Sequence, residues 1–165
     1  MELLSQNNLI YDPVRKSWVK KTPEEEIRQA WIQRMVQEMD YPLAFLAVEK
    51  ELNQLPHLLL NPSRLYPKRR IDVVVFAKDI HVKFPLFPLL LVEFKAVPLT
   101  PQFAQQALGY NDVVKAPFVA VANDNQVLLG SYDHEAGHFR FKEGLPSYLA
   151  LKEEINRLTS QKAFE

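Results

Sequence analysis

The chain has 165 residues, with 20 Lys and Arg balanced by 20 Asp and Glu, and therefore no formal net charge. This length suits a single domain with a substantial hydrophobic core, and the balanced charge argues against a protein that coats DNA non-specifically, because phosphate neutralisation dominates such binding. The absence of cysteine excludes disulfides, thiol nucleophiles and thiolate metal sites.

The N-terminal segment has no basic region followed by an apolar core, so it does not resemble a secretory signal. The longest apolar run, 84–92, is shorter than the ~20 residues that a membrane helix needs, and we expect a cytoplasmic protein that does not contact a membrane.

An N-terminal arm that packs against the body is predicted by four apolar or aromatic residues: Tyr11, Val14, Trp18 and Val19. Its basic residues predict a solvated outer side: Arg15, Lys16, Lys20 and Lys21.

A first helix is predicted from Thr22 to about Met39. Thr22 suits the N-cap, Pro23 the first helical position and Glu25 the partner in a capping box. One apolar face recurs at helical spacing: Ile27, Trp31, Met35, Val36 and Met39. Asp40-Tyr41-Pro42 ends the helix. On this evidence alone, Glu25 is better explained by capping than by catalysis.

Apolar, β-branched runs predict strands at 45–52, 69–76 and 89–95, with a long loop at 53–68 between the first two. A second helix starts at Thr100-Pro101 and ends before Ala116-Pro117. Strands at 118–122, 126–132 and 138–141 and a helix at 146–158 complete the chain. This order predicts an α/β fold with a mixed sheet, in one domain spanning 1–165, with a core at about 9–132 and an extension at about 133–165.

Two carboxylates interrupt these apolar strands. Asp72 lies among valines, and Glu93 is followed two residues later by Lys95, which strand alternation places on the same side. Buried charges need a partner or a metal. Ion pairs of Glu93 with Lys95 and of Asp72 with Arg70 are the simple explanation. If the two strands are neighbours, however, both carboxylates meet, and their repulsion calls for a divalent cation with oxygen ligands.

These residues resemble the D…(D/E)-x-K signature of the PD-(D/E)XK nuclease superfamily, whose core has the same αβββαβ order. More specifically, five segments in order resemble the N-terminal nuclease domain of type I restriction enzyme R subunits, in its short stand-alone form: YDPVR at 11–15, TPEE at 22–25 with Arg28 and Gln29, RIDVV at 70–74, VEFKA at 92–96, and Gln106 with Tyr110 and Asn111. The resemblance covers about residues 9–125.

The resemblance implies a restriction-endonuclease-like fold and metal-dependent hydrolysis of DNA phosphodiesters. Asp72, Glu93 and the Phe94 carbonyl would bind Mg²⁺, with Mn²⁺ as a substitute. Lys95 would be the catalytic lysine, and Glu25 the outer acid that supports the site, with Glu24 a less suitable substitute. DNA contact would fall to the remaining residues: Gln106, Tyr110 and Arg70.

Two departures from the family pattern leave alternatives open. Gly109 stands where the family often has a basic residue before the tyrosine, and Tyr110 suits the core as well as DNA contact. No G-x-x-x-x-G-K-[ST] motif is present, so we expect no intrinsic ATP-driven motor. The resemblance further suggests a homodimer, because one such site cuts one strand, or a separate motor or specificity protein as partner. The alternatives are a catalytically silent DNA- or protein-binding module on a nuclease fold, and a structural domain whose acids form ion pairs.

Overall fold

The computed structural model describes residues 8–59, 66 and 68–162, and the side chains of this part up to residue 158. Part of the predicted loop at 53–68 and residues 1–7 therefore lie outside the described residues. One sheet has six strands: β3 Leu46–Glu51, β4 Arg70–Lys78, β5 Leu86–Phe94, β6 Phe118–Ala122, β7 Val127–Asp133 and β8 His138–Glu143. The strands lie side by side in this order, and only the neighbours β5 and β6 are parallel.

Three helices pack on this sheet: α1 Pro23–Glu38, α2 Pro101–Val114 and α3 Tyr148–Lys162. Buried residues of α1 and α3 share one cluster with one sheet face, whereas those of α2 share a second cluster with the opposite face. The predicted mixed α/β fold and the αβββαβ order are thus confirmed. None of the described helices has the length and apolar character needed to cross a membrane.

Helix starts agree in part with the sequence. The backbone N–H of Glu25 donates to Thr22 Oγ1 at 3.1 Å, which confirms the predicted cap of α1. Thr100 makes no such side-chain bond at the start of α2, where Pro101 alone marks the first turn. At the other end of α2, Lys115 adopts a left-handed conformation with φ of 65°.

The N-terminal arm is a hairpin rather than an irregular packed segment. Strands β1 Leu9–Asp12 and β2 Ser17–Lys20 pair in antiparallel fashion and form a separate two-stranded sheet, here called the N-terminal ribbon. Val14 and Val19 are partly buried, but Trp18 is 66% and Tyr11 45% exposed. The expectation that these two aromatic rings pack inward is therefore wrong, because a two-stranded ribbon buries only one face.

Strand β5 begins earlier than predicted and ends one residue before Lys95. Pro88 lies inside β5, at a register shift between β4 and β5 near Phe76, where an irregular ladder tolerates a residue without an N–H. The earlier end of β5, at Phe94, affects the candidate site. Since Lys95 follows the strand, alternation within β5 no longer fixes the direction of its side chain.

The C-terminal end of α2 provides a stability prediction. Asn111 Nδ2 donates to Ala116 O, and Ala116 N donates to Asn111 Oδ1, both at 2.8 Å and both buried. Asn111→Ala leaves both backbone groups without these partners, so we expect a loss of about 2–4 kcal/mol in the free energy of unfolding. Urea unfolding would measure it. The neighbouring exposed Asp112 offers the control: Asp112→Ala should unfold like wild type, and equal stability of all three proteins would contradict the prediction.

Candidate functional site

Asp72 and Glu93 face each other where β4 and β5 separate. The regular ladder ends at the pair Val73 and Val92. Beyond that pair, the N–H of Asp72 donates to Glu93 Oε1 at 3.3 Å and the N–H of Phe94 donates to Asp72 Oδ2 at 2.9 Å. The structure therefore brings together the two acids that the sequence placed in neighbouring strands.

The electrostatics of this carboxylate pair are unfavourable without a cation or a proton. Glu93 is only 7% exposed. Burial, followed by the charge of Asp72, raises the pKa of Glu93 well above its ordinary value, while the Lys95 ammonium acts in the opposite direction. Desolvation and a like charge both disfavour the ionised form. The pair consequently has a strong electrostatic demand for positive charge.

Arg28 on α1 connects three acids from three elements. Its guanidinium lies 2.9 Å from Glu49 Oε1 and 3.1 Å from Asp72 Oδ1. It also lies 3.1 Å from Glu25 Oε2, although only Oε1, at 3.3 Å, satisfies hydrogen-bond geometry. The side chain is 6% exposed. Asp72 thus pairs with Arg28, whereas Arg70, the partner considered from sequence, is 64% exposed and lies near Glu49 at 3.7 Å.

Glu49 is a site residue that sequence reasoning missed. The pairs Val48–Val73 and Lys50–Ile71 place it opposite Asp72, so Glu49, Asp72 and Glu93 form one row across three strands. Its φ is 53°, in the left-handed region, which costs a non-glycine residue on the order of 1 kcal/mol. No signal in the alternating strand pattern identifies either this conformation or the contact with Arg28.

The N-terminal ribbon is anchored to this group of charges. Asp12 is fully buried and accepts hydrogen bonds from Val14 N at 2.8 Å and Arg15 N at 3.3 Å. The Arg15 guanidinium pairs with Asp12 and with Glu25. The expectation that Arg15 is a solvated surface charge is therefore wrong, because it bridges the ribbon turn to α1. The backbone N–H of Glu25 is capped by Thr22, while its carboxylate lies between Arg15 and Arg28.

Lys95 lies at the same end of β5 but forms no close ion pair. Its backbone N–H donates to Ala122 O at 2.9 Å, and its Nζ lies 5.0 Å from the centre of the Phe103 ring. Among the described residues, no carboxylate oxygen lies within 4.0 Å of this ammonium. The simple Glu93–Lys95 ion pair is thus not formed, although the charge of Lys95 still acts on Glu93.

The three predicted DNA-contacting residues line one open groove. Gln106 and Tyr110 on α2 meet Arg70, together with Arg69 and Gly109, around a space of about 510 Å³. The Arg69 guanidinium lies over the Tyr110 ring at 5.4 Å. Gln106 is exposed, and Tyr110 is half-buried against the α2 side of the core. Tyr110 therefore packs against the core and also lines the groove, so it fits both the core role and the DNA-contact role considered from sequence.

The chain was compared with family models, with curated proteins and with solved structures. Neither the curated proteins nor the solved structures give a match. The family model of the type I restriction enzyme R protein N terminus (HSDR_N) matches residues 23–146. The matched range includes α1, the β3–β5 strands that carry the acidic row, and the α2 groove. The chain belongs to the family of type I restriction enzyme R protein N termini.

Proposed function

We propose that this protein is a Mg²⁺-dependent DNA endonuclease of the PD-(D/E)XK type, in which Asp72, Glu93 and Lys95 form the reacting centre. The observation that carries the proposal is the desolvated carboxylate pair where β4 and β5 separate, with the charge of Lys95 acting on it from the same end of β5. Family membership supports a restriction-related nuclease module. The proposed setting is the cytoplasm, with DNA as substrate and a second copy or a separate motor or specificity protein as partner.

The donor set suits a hard divalent cation. Among the side chains that the structure describes, no group of three His, Asp or Glu residues could hold a metal ion. Mg²⁺ does not require one, since it usually binds one or two carboxylates and keeps waters and substrate phosphate oxygens as its other ligands. Asp72 and Glu93 would hold the ion with the Phe94 carbonyl. Its charge would replace the proton that the raised pKa of Glu93 otherwise favours.

Each protein group has a distinct part in the proposed hydrolysis. When bound, the ion would supply a Lewis acid that offsets charge on the scissile phosphate and favours ionisation of a water. Lys95 would stabilise the additional negative charge of the pentavalent transition state. Arg28 would hold Asp72 in place through its contact with Oδ1, and Glu25 would fix Arg28 from the other side. Gln106, Tyr110 and Arg70 would contact the DNA strand.

A catalytically silent binding module is the second candidate. The observation that favours it is Arg28, because this cation already neutralises one Asp72 oxygen and lowers the demand of the site for a metal. Gly109, where the family often has a basic residue, weakens DNA contact along α2 in the same sense. This candidate predicts that the protein binds DNA or another protein but has no affinity for a metal ion. The nuclease, in contrast, must bind both DNA and a metal ion.

The first test replaces the catalytic lysine. Lys95→Ala should reduce the rate of plasmid cleavage in Mg²⁺ or Mn²⁺ by about 100-fold or more, the usual cost of losing a group that stabilises transition-state charge. Gel analysis of plasmid and linear DNA would measure it. Lys83→Ala, in the exposed connection between β4 and β5, serves as the matched lysine control and should cut normally. Equal cleavage by Lys95→Ala and wild type, or none by wild type, would argue against the nuclease.

The second test uses the raised pKa of Glu93. In metal-free buffer the native state keeps a proton that the unfolded chain has already released, so the free energy of unfolding should fall as pH rises from the ordinary glutamate pKa, about 4.3, through the raised native pKa. Glu93→Gln cannot ionise and should remove this fall. Urea unfolding in EDTA at pH 5 and pH 8 would measure the difference.

The same measurement distinguishes the two candidate functions. Adding Mn²⁺ at pH 8 should stabilise wild type, because a ligand that binds only the native state raises the free energy of unfolding, and it should stabilise Glu93→Gln less. Glu24→Gln changes an exposed glutamate on α1 and should behave as wild type. Parallel pH curves for wild type and Glu93→Gln, with no effect of Mn²⁺, would favour the binding module.

The third test restores the basic residue that α2 lacks. A Cβ atom at Gly109 would meet no atom within 4 Å, and replacing glycine within a helix contributes roughly 0.5–1 kcal/mol of stability. Gly109→Lys should therefore raise the melting temperature and tighten DNA binding several-fold by adding one phosphate contact. Gly109→Gln is the matched control and should raise the melting temperature only. Equal DNA affinity of the two variants in fluorescence anisotropy would place the DNA elsewhere.

A further inference from the structure

The outward face of the N-terminal ribbon presents an aromatic pair to solvent. Tyr11 and Trp18 are opposite each other in the hairpin register, with ring centres 5.4 Å apart in an edge-to-face arrangement. They are 45% and 66% exposed, and the neighbouring Leu9 is 40% exposed. The other tryptophan, Trp31, is 5% exposed and donates to Asn123 O. A tryptophan two-thirds exposed on a paired strand suggests a partner that stacks on it.

The charges around this pair indicate which partner it fits. The segment 9–21 carries four basic residues and one acid, in a chain of zero net charge. That acid, Asp12, is buried and neutralised by Arg15. Among residues that the structure describes, Lys16 and Lys20 form no ion pair, whereas Lys21 lies 3.3 Å from Glu26 at the surface. The exposed ribbon face is therefore aromatic and positive, which suits a polyanion with stacking groups.

The ribbon has a fixed position relative to the carboxylate row. Arg15 in its turn pairs with Glu25, and Glu25 pairs with Arg28, which contacts Asp72. Two ion-paired residues thus separate the ribbon turn from the proposed metal site. The bond of Lys21 N to Asn8 O, at 2.7 Å, closes the open end of the hairpin. The ribbon turn is therefore joined to the acidic row by a chain of ion pairs.

We propose that the outward face of the N-terminal ribbon binds single-stranded DNA, with a base stacked on Trp18 and backbone phosphates near Lys16 and Lys20. This inference rests on the proposed function in taking DNA as the partner. Unpaired bases offer a free face to an aromatic ring and bind such rings with little sequence preference. Bases in a duplex do not, so this surface should distinguish unpaired from paired DNA beside the cleavage site.

Intrinsic fluorescence measures this contact directly. Because Trp31 is buried, stacking on Trp18 should quench the solvent-exposed part of the emission. A poly-dT oligonucleotide added in EDTA, where cleavage does not occur, should quench it with saturation, and the matching duplex should quench it less. The quenching should disappear in Trp18→Phe. Absence of quenching by the oligonucleotide, or equal quenching by the duplex, would overturn the inference.

Anisotropy of labelled oligo-dT measures affinity independently of the tryptophan signal. Trp18→Ala should weaken binding by about 5- to 100-fold, the range for one aromatic–base contact, and Trp18→Phe should recover most of the loss. Tyr132→Ala is the control, since Tyr132 is an aromatic residue as exposed as Tyr11, at 45%, but lies on β7, toward the other edge of the sheet from β3. Equal affinity of Trp18→Ala and Tyr132→Ala would overturn the inference.

The lysines are tested by salt dependence. Each phosphate contact removed should reduce the slope of log affinity against log salt by about 0.7 for a single strand. The double variant Lys16→Gln and Lys20→Gln should therefore show a slope reduced by about 1.4, whereas Lys142→Gln on β8 should show the wild-type slope. An unchanged slope in the double variant would overturn the proposed phosphate contacts.

These binding results separate this inference from the proposed function. Cleavage that depends on Lys95, together with wild-type binding by Trp18→Ala, would overturn the ribbon inference and leave the nuclease. Loss of oligo-dT binding in Trp18→Ala, with no metal-dependent cleavage by wild type, would support the ribbon surface and overturn the nuclease. Circular dichroism melting of Trp18→Ala should match wild type within a few degrees, since the ring is exposed.

Discussion

The buried guanidinium of Arg28 is the interaction on which the site depends. Glu25, Glu49 and Asp72 come from α1, β3 and β4, and their carboxylates meet around one cation. Without it, three acids would repel one another in a setting with little water, where removing one partner of a buried ion pair costs several kcal/mol. Arg28 therefore sets the spacing between the first helix and the sheet and holds Asp72 in position.

Arg28 also explains how the fold accommodates two neighbouring carboxylates, those of Asp72 and Glu93. Asp72 shares its carboxylate between Arg28 on one side and Phe94 N–H on the other. Glu93 accepts only the Asp72 N–H among the described residues and has no cation within ion-pair distance there, and its pKa is raised by burial and by Asp72. The Arg28 guanidinium beside Asp72 reduces the repulsion among the acids of the row. The negative charge of ionised Glu93 is not compensated in this way, and the proposed metal ion would compensate it.

The N-terminal ribbon lies before the part of the chain that matches the family, yet its turn is ion-paired with that part. Arg15 links Asp12 to Glu25, so an element with a separate small sheet is held by charge as well as by the packing of Val14. Its outward aromatic face and the Gln106–Tyr110 groove lie on different elements. The groove belongs to the proposed nuclease, whereas the ribbon face would be a separate surface for single-stranded DNA.

The sequence determined the order of helices and strands from α1 onward, because apolar periodicity, capping residues and prolines are local signals; it did not reveal the N-terminal ribbon. It also identified Asp72 and Glu93, since an acid in an apolar strand is conspicuous wherever it lies. Only the tertiary structure decided their partners. Arg28 replaced Arg70, Lys95 lay over Phe103 rather than beside Glu93, and Glu49 joined the row. Those contacts join residues that are distant in the chain, so no local sequence pattern encodes them. The left-handed backbone conformation of Glu49 is likewise absent from any local pattern.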